Sequence, residues 1–429
     1  MIADVAVVGG GPAGAAAATS LARAGLEVVV VDKARFPRDK ICGDGLTTGA
    51  LRLLDELGLD PAAVPSWQAV TDMTVHSPSG AAIHFPLPAG PGLYAAVARR
   101  ADLDAAVLDL ARDAGATMLE GHEVTKAAHP SADRIRLDAQ ALDGGGTVTI
   151  EARYAIAADG MWSPMRKHLG VATAGYLGEW HAFRQYFRDV SPRASRELVV
   201  WFEADILPGY VWSFPLPDGG ANVGFGVHRG GKVPVRDMKR LWPELLARPA
   251  IRAVLGDAAV PEAPHRAWPI PARVDRVPLT AGRALFVGDA AAACDVLSGE
   301  GIGQALLTGV LPADAIRGTR PTDRHLAATR YQEAVRHHFF ADHRMSALLV
   351  RALRHRKGAR AAVRVAGATP WTRRNFARWL WEDYPRALVA TPSRWHPGMF
   401  RGPGAYRERA WGRGDVVNRA GEPATTPTP

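Results

Sequence analysis

The sequence is poor in cysteine. Its 429 residues include two, Cys42 and Cys294, so no disulfide framework holds it together and a reducing, cytoplasmic setting is expected. His337, His338 and His343 lack the spacing of a metal site, and no zinc or iron motif appears elsewhere, so no metal centre is expected. Internal repeats and nucleic-acid motifs are also missing. Only one uncharged run, residues 5–22, approaches the roughly 20 apolar residues of a membrane span. Gly-Gly-Gly-Pro interrupts it, Asp4 precedes it, and no early Lys or Arg does, which argues against a signal peptide or anchor. Charged residues make up 22% of the chain and hydrophobic ones 47%, which excludes wholesale disorder. The net charge of +9 is unevenly spread: residues 317–386 are dense in arginine, including Arg351, Arg354, Arg356, Arg360 and Arg364 beside Lys357. Such a stretch forms either a solvated helical face or a surface for anionic headgroups or an acidic partner.

Against these absences the opening stretch, ADVAVVGGGPAGAAAATSLARAGLEVVVVDK, carries dense signal. Residues 3–8 are apolar on both faces, which predicts a buried strand. Gly9, Gly11 and Gly14 form G-x-G-x-x-G. Residues 13–24 predict a helix of small residues stopped by Gly25, and residues 26–31 a second buried strand ending at Asp32. Strand, glycine turn, helix, strand and acid together make the dinucleotide fingerprint. Gly9 permits the tight turn, Gly11 lets backbone approach a pyrophosphate, and Gly14 lets helix and strand pack closely. The first helical N–H groups face the phosphates, and Asp32 is placed to accept hydrogen bonds from a ribose.

Further along, residues 35–45 read as a loop, with Pro37, Gly43 and Gly45. Thr47 caps a helix stopped by Gly58. Residues 70–76 and 81–85 alternate around SPSG and predict a hairpin that leaves the parallel sheet. A helix is expected over 95–114 and strands over 116–123, 134–141 and 147–157, the last arriving at Asp159-Gly160. Near Tyr176 a second lobe begins, with antiparallel strands over 197–203, 210–215 and 221–227 and helices over 238–248 and 250–255. Residues 284–287 return as a strand to Gly288-Asp289, and 301–315 continue as a helix. Helices with arginine faces follow to about residue 378, and the last ten residues, AGEPATTPTP, read as a disordered tail.

A second strong signal lies in GRALFVGDAAAACDVLSGEGIGQALL, residues 282–307. An acid at a strand end, Asp289, can hold a ribityl or ribose hydroxyl. Gly299, Gly301 and Gly303 open another helix toward an anion or a carbonyl-rich ring edge. Two helix N-termini far apart in sequence imply one long ligand across both, and FAD fits. Arg100, four residues before Asp104, sits at a helix start and either reaches that ligand or lies on the surface. Tyr210, Trp212 and Phe214 alternate at period two, so their rings share a face. That face is either an apolar tunnel wall or a packed core. Cys42, in a cationic, glycine-rich loop, is either reactive or inert. Cys294 reads as a small buried filler.

Taken in order, G-x-G-x-x-G with its acid, Arg-x-x-Leu-Asp, Asp-Gly and Gly-Asp resemble the p-hydroxybenzoate hydroxylase superfamily of FAD proteins. Within it, FPRDKICGDGL (residues 36–46), GYVWSFP with NVGFGV (209–215 and 222–227) and SGEGI (298–302) resemble the geranylgeranyl reductase family, with WLWEDYP (379–385) a weaker echo. The resemblance implies an α/β fold (α+β overall): a split Rossmann-like FAD-binding domain over 1–65, 95–175 and 276–320, an antiparallel-sheet substrate domain over 66–94 and 176–275, and a helical C-terminal region over 321–419. It implies FAD bound through Gly9, Gly11, Gly14, Asp32, Lys33, Arg100, Asp289 and the Gly299–Gly301 turn with Ile302. Asp159 and Gly160 match a motif associated with FAD and NAD(P)H. Tyr210, Trp212, Phe214 and Pro215 match the strand lining an isoprenoid pocket, and Cys42 a cysteine near the flavin; Cys42, Tyr210 and Trp212 are the catalytic candidates. The sequence departs from the pattern at Val296, where the superfamily usually has Pro, and at Thr47-Thr48, which lack a Pro often found there. No second G-x-G-x-x-G opens a nicotinamide domain, so NAD(P)H visits the flavin or ferredoxin supplies electrons. The activity implied is hydride transfer from reduced flavin to isolated double bonds of an isoprenoid chain, a geranylgeranyl lipid or the menaquinone side chain. Its rivals are a monooxygenase acting through a hydroperoxyflavin on an aromatic or terpenoid substrate, and a flavoprotein that only carries electrons or binds lipid. Peripheral membrane contact would fall on the arginine-rich helices.

Overall fold

Four consecutive valines, Val28 to Val31, are all buried. A strand apolar on both faces needs a layer on each side. The computed structural model describes residues 1–88, 92–320, 323, 325–395 and 399–407. In it the strand Val28–Asp32 sits inside a sheet ordered Thr280–Ala281, Ala284–Phe286, Thr147–Ala157, Ile2–Val8, Val28–Asp32, Thr117–Glu120. From Ala284–Phe286 to Thr117–Glu120 every neighbouring pair is parallel. His122–Ser131 and Arg134–Ala141 extend Thr147–Ala157 as an antiparallel branch. The helix Pro12–Arg23 packs between Ile302–Ile316 and Arg100–Asp113. Its alanines 15 to 18 are fully buried, and a Cβ on Gly309 of the neighbouring helix would overlap the Ala13 carbonyl. The run of small residues is what so close a helix crossing requires.

A second sheet is ordered Val260–Pro261, Trp180–Arg188, Ala221–His228, Tyr210–Pro215, Leu198–Trp201, Asp72–His76, Ala82–Pro86, with Arg266–Ile270 also paired to Trp180–Arg188. It is mixed rather than antiparallel throughout, because Leu198–Trp201 runs parallel to Asp72–His76. The strand Trp180–Arg188 has no counterpart in the sequence reading. Its alternation is broken by Arg184 and Gln185, both buried and both partnered: Arg184 Nη2 with Asp39 Oδ1 at 2.7 Å, and Gln185 with the Ala263 carbonyl and Trp242 Nε1.

The helix expected from residue 95 begins at Arg100. Ala96–Val97 instead pairs with Gly45–Leu46 and Gln68–Ala69 in a small third sheet, which pins the loop before Thr47 against the body of the protein. Thr47 caps its helix as expected, accepting from the Ala50 N–H. Ala341–Leu353, Arg356–Ala366 and Pro370–Leu380 form a helical layer, joined to the second sheet where Phe376 meets Phe85 at 5.0 Å. No helix among the described residues is long and apolar enough to cross a membrane. The expected tail, residues 420–429, lies outside the described residues.

Candidate active site

Gly9 sits at φ +105°, and a Cβ on it would overlap the Ala158 carbonyl, so the turn accepts only glycine. A Cβ on Gly14 would overlap the carbonyl of Gly9 itself. Gly14 therefore seats the helix on the turn and faces no cavity. Gly11 is the helix N-cap, in extended backbone with no capping side chain, which leaves the first N–H groups bare. Asp32 Oδ2 accepts from the Gly10 N–H at 2.6 Å and Oδ1 from the Ala34 N–H at 2.7 Å. The acid thus fixes the turn, and each oxygen retains a lone pair.

These residues open on a continuous cavity of about 920 Å³. Gly9, Gly11, Asp32, Lys33, Arg100, Asp159, Gly160, Asp289, Gly299, Gly301 and Ile302 all line it, as do Cys42, Tyr210, Trp212 and Phe214. Of the residues that the family resemblance assigns to the site, Gly14 and Pro215 do not. Pro215 sits on the strand Tyr210–Pro215 at odd register from the aromatic stripe, on the opposite face with Val211 and Ser213.

Arg100 is buried, and its guanidinium grips Asp104 twice, at 2.7 and 2.8 Å. Arg38 holds the same carboxylate at 2.7 Å. Asp159 spends both oxygens on capping a short helix, accepting from Ser163 Oγ and the Met165 N–H. Asp289 Oδ1 accepts from Cys294 Sγ at 3.3 Å, so Cys294 is a partner to the acid as well as a buried filler. The Tyr210 hydroxyl donates to the Ser298 carbonyl, and burial pushes its pKa up. It ties the aromatic strand to the SGEG turn and is not a free acid. Tyr210, Trp212 and Phe214 follow one another at 6.0 and 6.2 Å between ring centres.

At Cys42 burial pushes the thiol up, and the nearby charge of Arg100 opposes this only in part. Its loop is held from below by Asn222, a residue the sequence reading quoted within NVGFGV without a role. Asn222 is fully buried. Its Nδ2 donates to the Cys42 carbonyl at 2.9 Å and to Asp44 Oδ2 at 2.8 Å, and its Oδ1 accepts from Trp212 Nε1 at 3.1 Å. Asp44 Oδ2 also accepts from the Tyr186 hydroxyl at 2.6 Å. Burial nonetheless lifts the Asp44 carboxyl to about 6.

Two more carboxyls escaped notice. Glu300, the acid of SGEG, lines the cavity with Oε1 accepting from the Gly303 N–H at 2.7 Å. Glu382, the acid of WLWEDYP, accepts from Gln304 Nε2 at 2.8 Å and Thr47 Oγ1 at 3.2 Å. Burial first, and the neighbouring charge of the pair second, hold Glu300 well above the usual carboxylate range; burial also pushes Glu382 up. The signal was present in the two motifs, but nothing in the sequence brings residues 300 and 382 together.

The cavity fits a dinucleotide. A Cβ on Gly11 would meet nothing nearer than the Arg38 guanidinium at 3.4 Å, and one on Gly160 nothing within 4 Å. Both glycines face the cavity, so bare backbone forms a cradle that any side chain would fill. With a glycine-turned helix and an acid at one end and a second glycine-opened helix at the other, the fold and site define an FAD-type flavoprotein. The chain belongs to the FAD binding domain family, whose model matches residues 2–335. It is 37% identical over 372 residues to the menaquinone reductase of Mycolicibacterium smegmatis, covering 81% of this chain and 84% of that protein. It is 30% identical over 346 residues to digeranylgeranylglycerophospholipid reductase 2 of Methanopyrus kandleri, covering 77% and 81%. Among solved structures, a geranylgeranyl bacteriochlorophyll reductase-like protein of Thermoplasma acidophilum shares the fold at a TM-score of 0.76 and 21% identity, over 91% of this chain and 98% of that one.

Proposed function

We propose that this protein is an FAD-dependent reductase of isolated double bonds in an isoprenoid chain. The observation that carries the reading is the aromatic stripe continuing the FAD cradle in one cavity. The names of the relatives, a menaquinone reductase and a digeranylgeranylglycerophospholipid reductase, support it, since both substrates carry polyprenyl chains. When bound, the flavin supplies the hydride chemistry. The protein must do the rest. An unactivated alkene offers no polar handle, so the chain is held by burial, at about 0.8 kcal/mol per CH₂. Trp212 and Phe214 provide that surface, with Met73, Val75, Leu198 and Val200 alongside. Their rings lie against Gly43 and Gly45, which lets the Cys42 loop close on them and exclude water. Glu300, kept protonated by burial, holds the proton for the second carbon. Reducing equivalents arrive from NAD(P)H or a ferredoxin, and the setting is cytoplasmic.

The test is anaerobic. The protein is reduced and offered menaquinone and geranylgeranyl lipids, and products are read by mass spectrometry. A gain of two hydrogens per saturated bond without oxygen is the expected result. No product until air is admitted, followed by a gain of one oxygen atom, would overturn the reading in favour of a monooxygenase.

A further inference from the structure

The residues from His343 to Trp381 include ten Arg or Lys and no Asp or Glu. This one segment accounts for the whole basic excess of the chain, +9. It comprises most of the helix Ala341–Leu353 and all of Arg356–Ala366 and Pro370–Leu380, each packed on the next. Arg344, Arg351, Lys357, Arg360, Arg364 and Arg374 are exposed and form no salt bridge among the described residues. Unneutralised cations at this density repel one another, and an anionic surface relieves the repulsion. Large apolar side chains stand exposed among them: Leu348 is 56% exposed, Val365 67% and Trp371 65%. Basic residues mixed with exposed tryptophan and aliphatics match the interface of a bilayer, where charge meets headgroups and apolar tips pass below them.

The inner side of the same helices closes the far end of the cavity. Leu353, Val363, Phe376 and Leu380 line it. Ala352 and Ala362 both line it and are exposed to solvent, so the apolar arm opens to the surface between Ala341–Leu353 and Arg356–Ala366. The cavity mouth and the basic, apolar surface belong to the same helical layer.

We propose that these three helices dock the protein on an anionic phospholipid bilayer and that the substrate's chain passes from the bilayer into the cavity between the first two. The docking rests on charge and exposure; the passage rests on the isoprenoid reading above. Holoprotein is sedimented with phosphatidylcholine vesicles and with vesicles containing an equal share of phosphatidylglycerol. Binding to the second kind alone, weakening as salt screens the charges, is expected. Arg360→Ser with Arg364→Ser should weaken it about thirtyfold, given the contribution of each basic residue near an anionic surface, and Trp371→Ala should weaken it further. None of these residues lines the cavity, so turnover of detergent-held substrate should be unchanged while turnover of vesicle-held substrate falls. Equal binding to both vesicles, undiminished binding by the double variant, or retention on DNA without vesicle binding would overturn the proposal. Vesicle binding with no turnover in either medium would instead refute the isoprenoid reading and leave docking intact.

Discussion

Asn222→Ala should unseat the Cys42 loop. Asn222 is fully buried and makes three hydrogen bonds of 2.8–3.1 Å, to Asp44, Cys42 and Trp212. Removing it orphans a carbonyl and an indole N–H, each costing about 1–3 kcal/mol when buried, and strips Asp44 of one charge-assisted bond worth about 1.5–3 kcal/mol. Water admitted from the adjoining cavity would recover part of this, so we expect a loss of about 3–5 kcal/mol. That is a large share of a stability of roughly 5–15 kcal/mol. The assay is urea unfolding followed by tryptophan fluorescence, with release of bound FAD recorded in parallel. FAD should leave at lower urea than in the wild type, because the freed loop lines the cofactor's cavity. Asn222→Asp should be worse than Asn222→Ala, since it sets a second carboxylate against Asp44. An Asn222→Ala protein that unfolds within about 1 kcal/mol of wild type and keeps its FAD would show that the network does not hold the loop.

Asp44 gives a pH test. Its carboxyl ordinarily titrates at 3.8 and is lifted to about 6 in the fold. The neutral form is therefore the stabilising one; its contribution is complete below 3.8 and is lost as pH rises through 6. At about 1.36 kcal/mol per unit, the ionised group costs the fold about 3 kcal/mol. Unfolding free energies should show Asp44→Asn gaining about that much on wild type between pH 4 and 7, and a pH-independent difference would refute the assignment. Gly14→Ala should abolish FAD binding, because its Cβ overlaps the Gly9 carbonyl; a yellow, fully loaded variant would contradict this. Glu300→Gln should lower turnover about 10²–10⁴-fold, the usual weight of a general acid, with FAD retained. It should also remove the alkaline fall in rate that deprotonation of Glu300 causes, and a variant with the wild-type pH profile would exclude Glu300 as the proton source.

The FAD cradle was legible because it is local. Gly9, Gly11, Gly14 and Asp32 lie within one strand–helix–strand unit, and their spacing encodes the geometry directly. The aromatic stripe was legible for the same reason, and period two correctly shared one face among Tyr210, Trp212 and Phe214. It also shows why Pro215, one step out of phase, belongs to the other face. What could not be read was assembled across the chain. Trp180–Arg188 hid because its buried Arg184 and Gln185 are satisfied by Asp39, Ala263 and Trp242, partners that no window of sequence contains. At Cys42 the choice between a reactive and an inert thiol stayed open because the flanking lysine and arginines are visible in sequence while the burial that pushes the thiol up is not.

The choice between tunnel wall and packed core turns on what covers the stripe. A sheet face in a core is covered by large side chains that interdigitate with it. Here the nearest atoms to a Cβ on Gly43 belong to Phe214 and Trp212, and on Gly45 to Phe214 alone. The covering loop presents bare backbone, and the rest of the stripe faces the cavity. The opposite face of the strand is the one that packs: Val211 lies fully buried among Phe183, Val199 and Phe225. A strand that commits its small residues to the core and lines a cavity with its three large rings is shaped for a ligand. Trp212 is already buried and Tyr210 and Phe214 are partly so, so covering what remains of each ring is worth less than about 1.5–3 kcal/mol, the value of burying a whole side chain the size of Phe. That remainder becomes available when an apolar chain fills the arm, so the ring surface still facing the cavity adds to the affinity for the substrate.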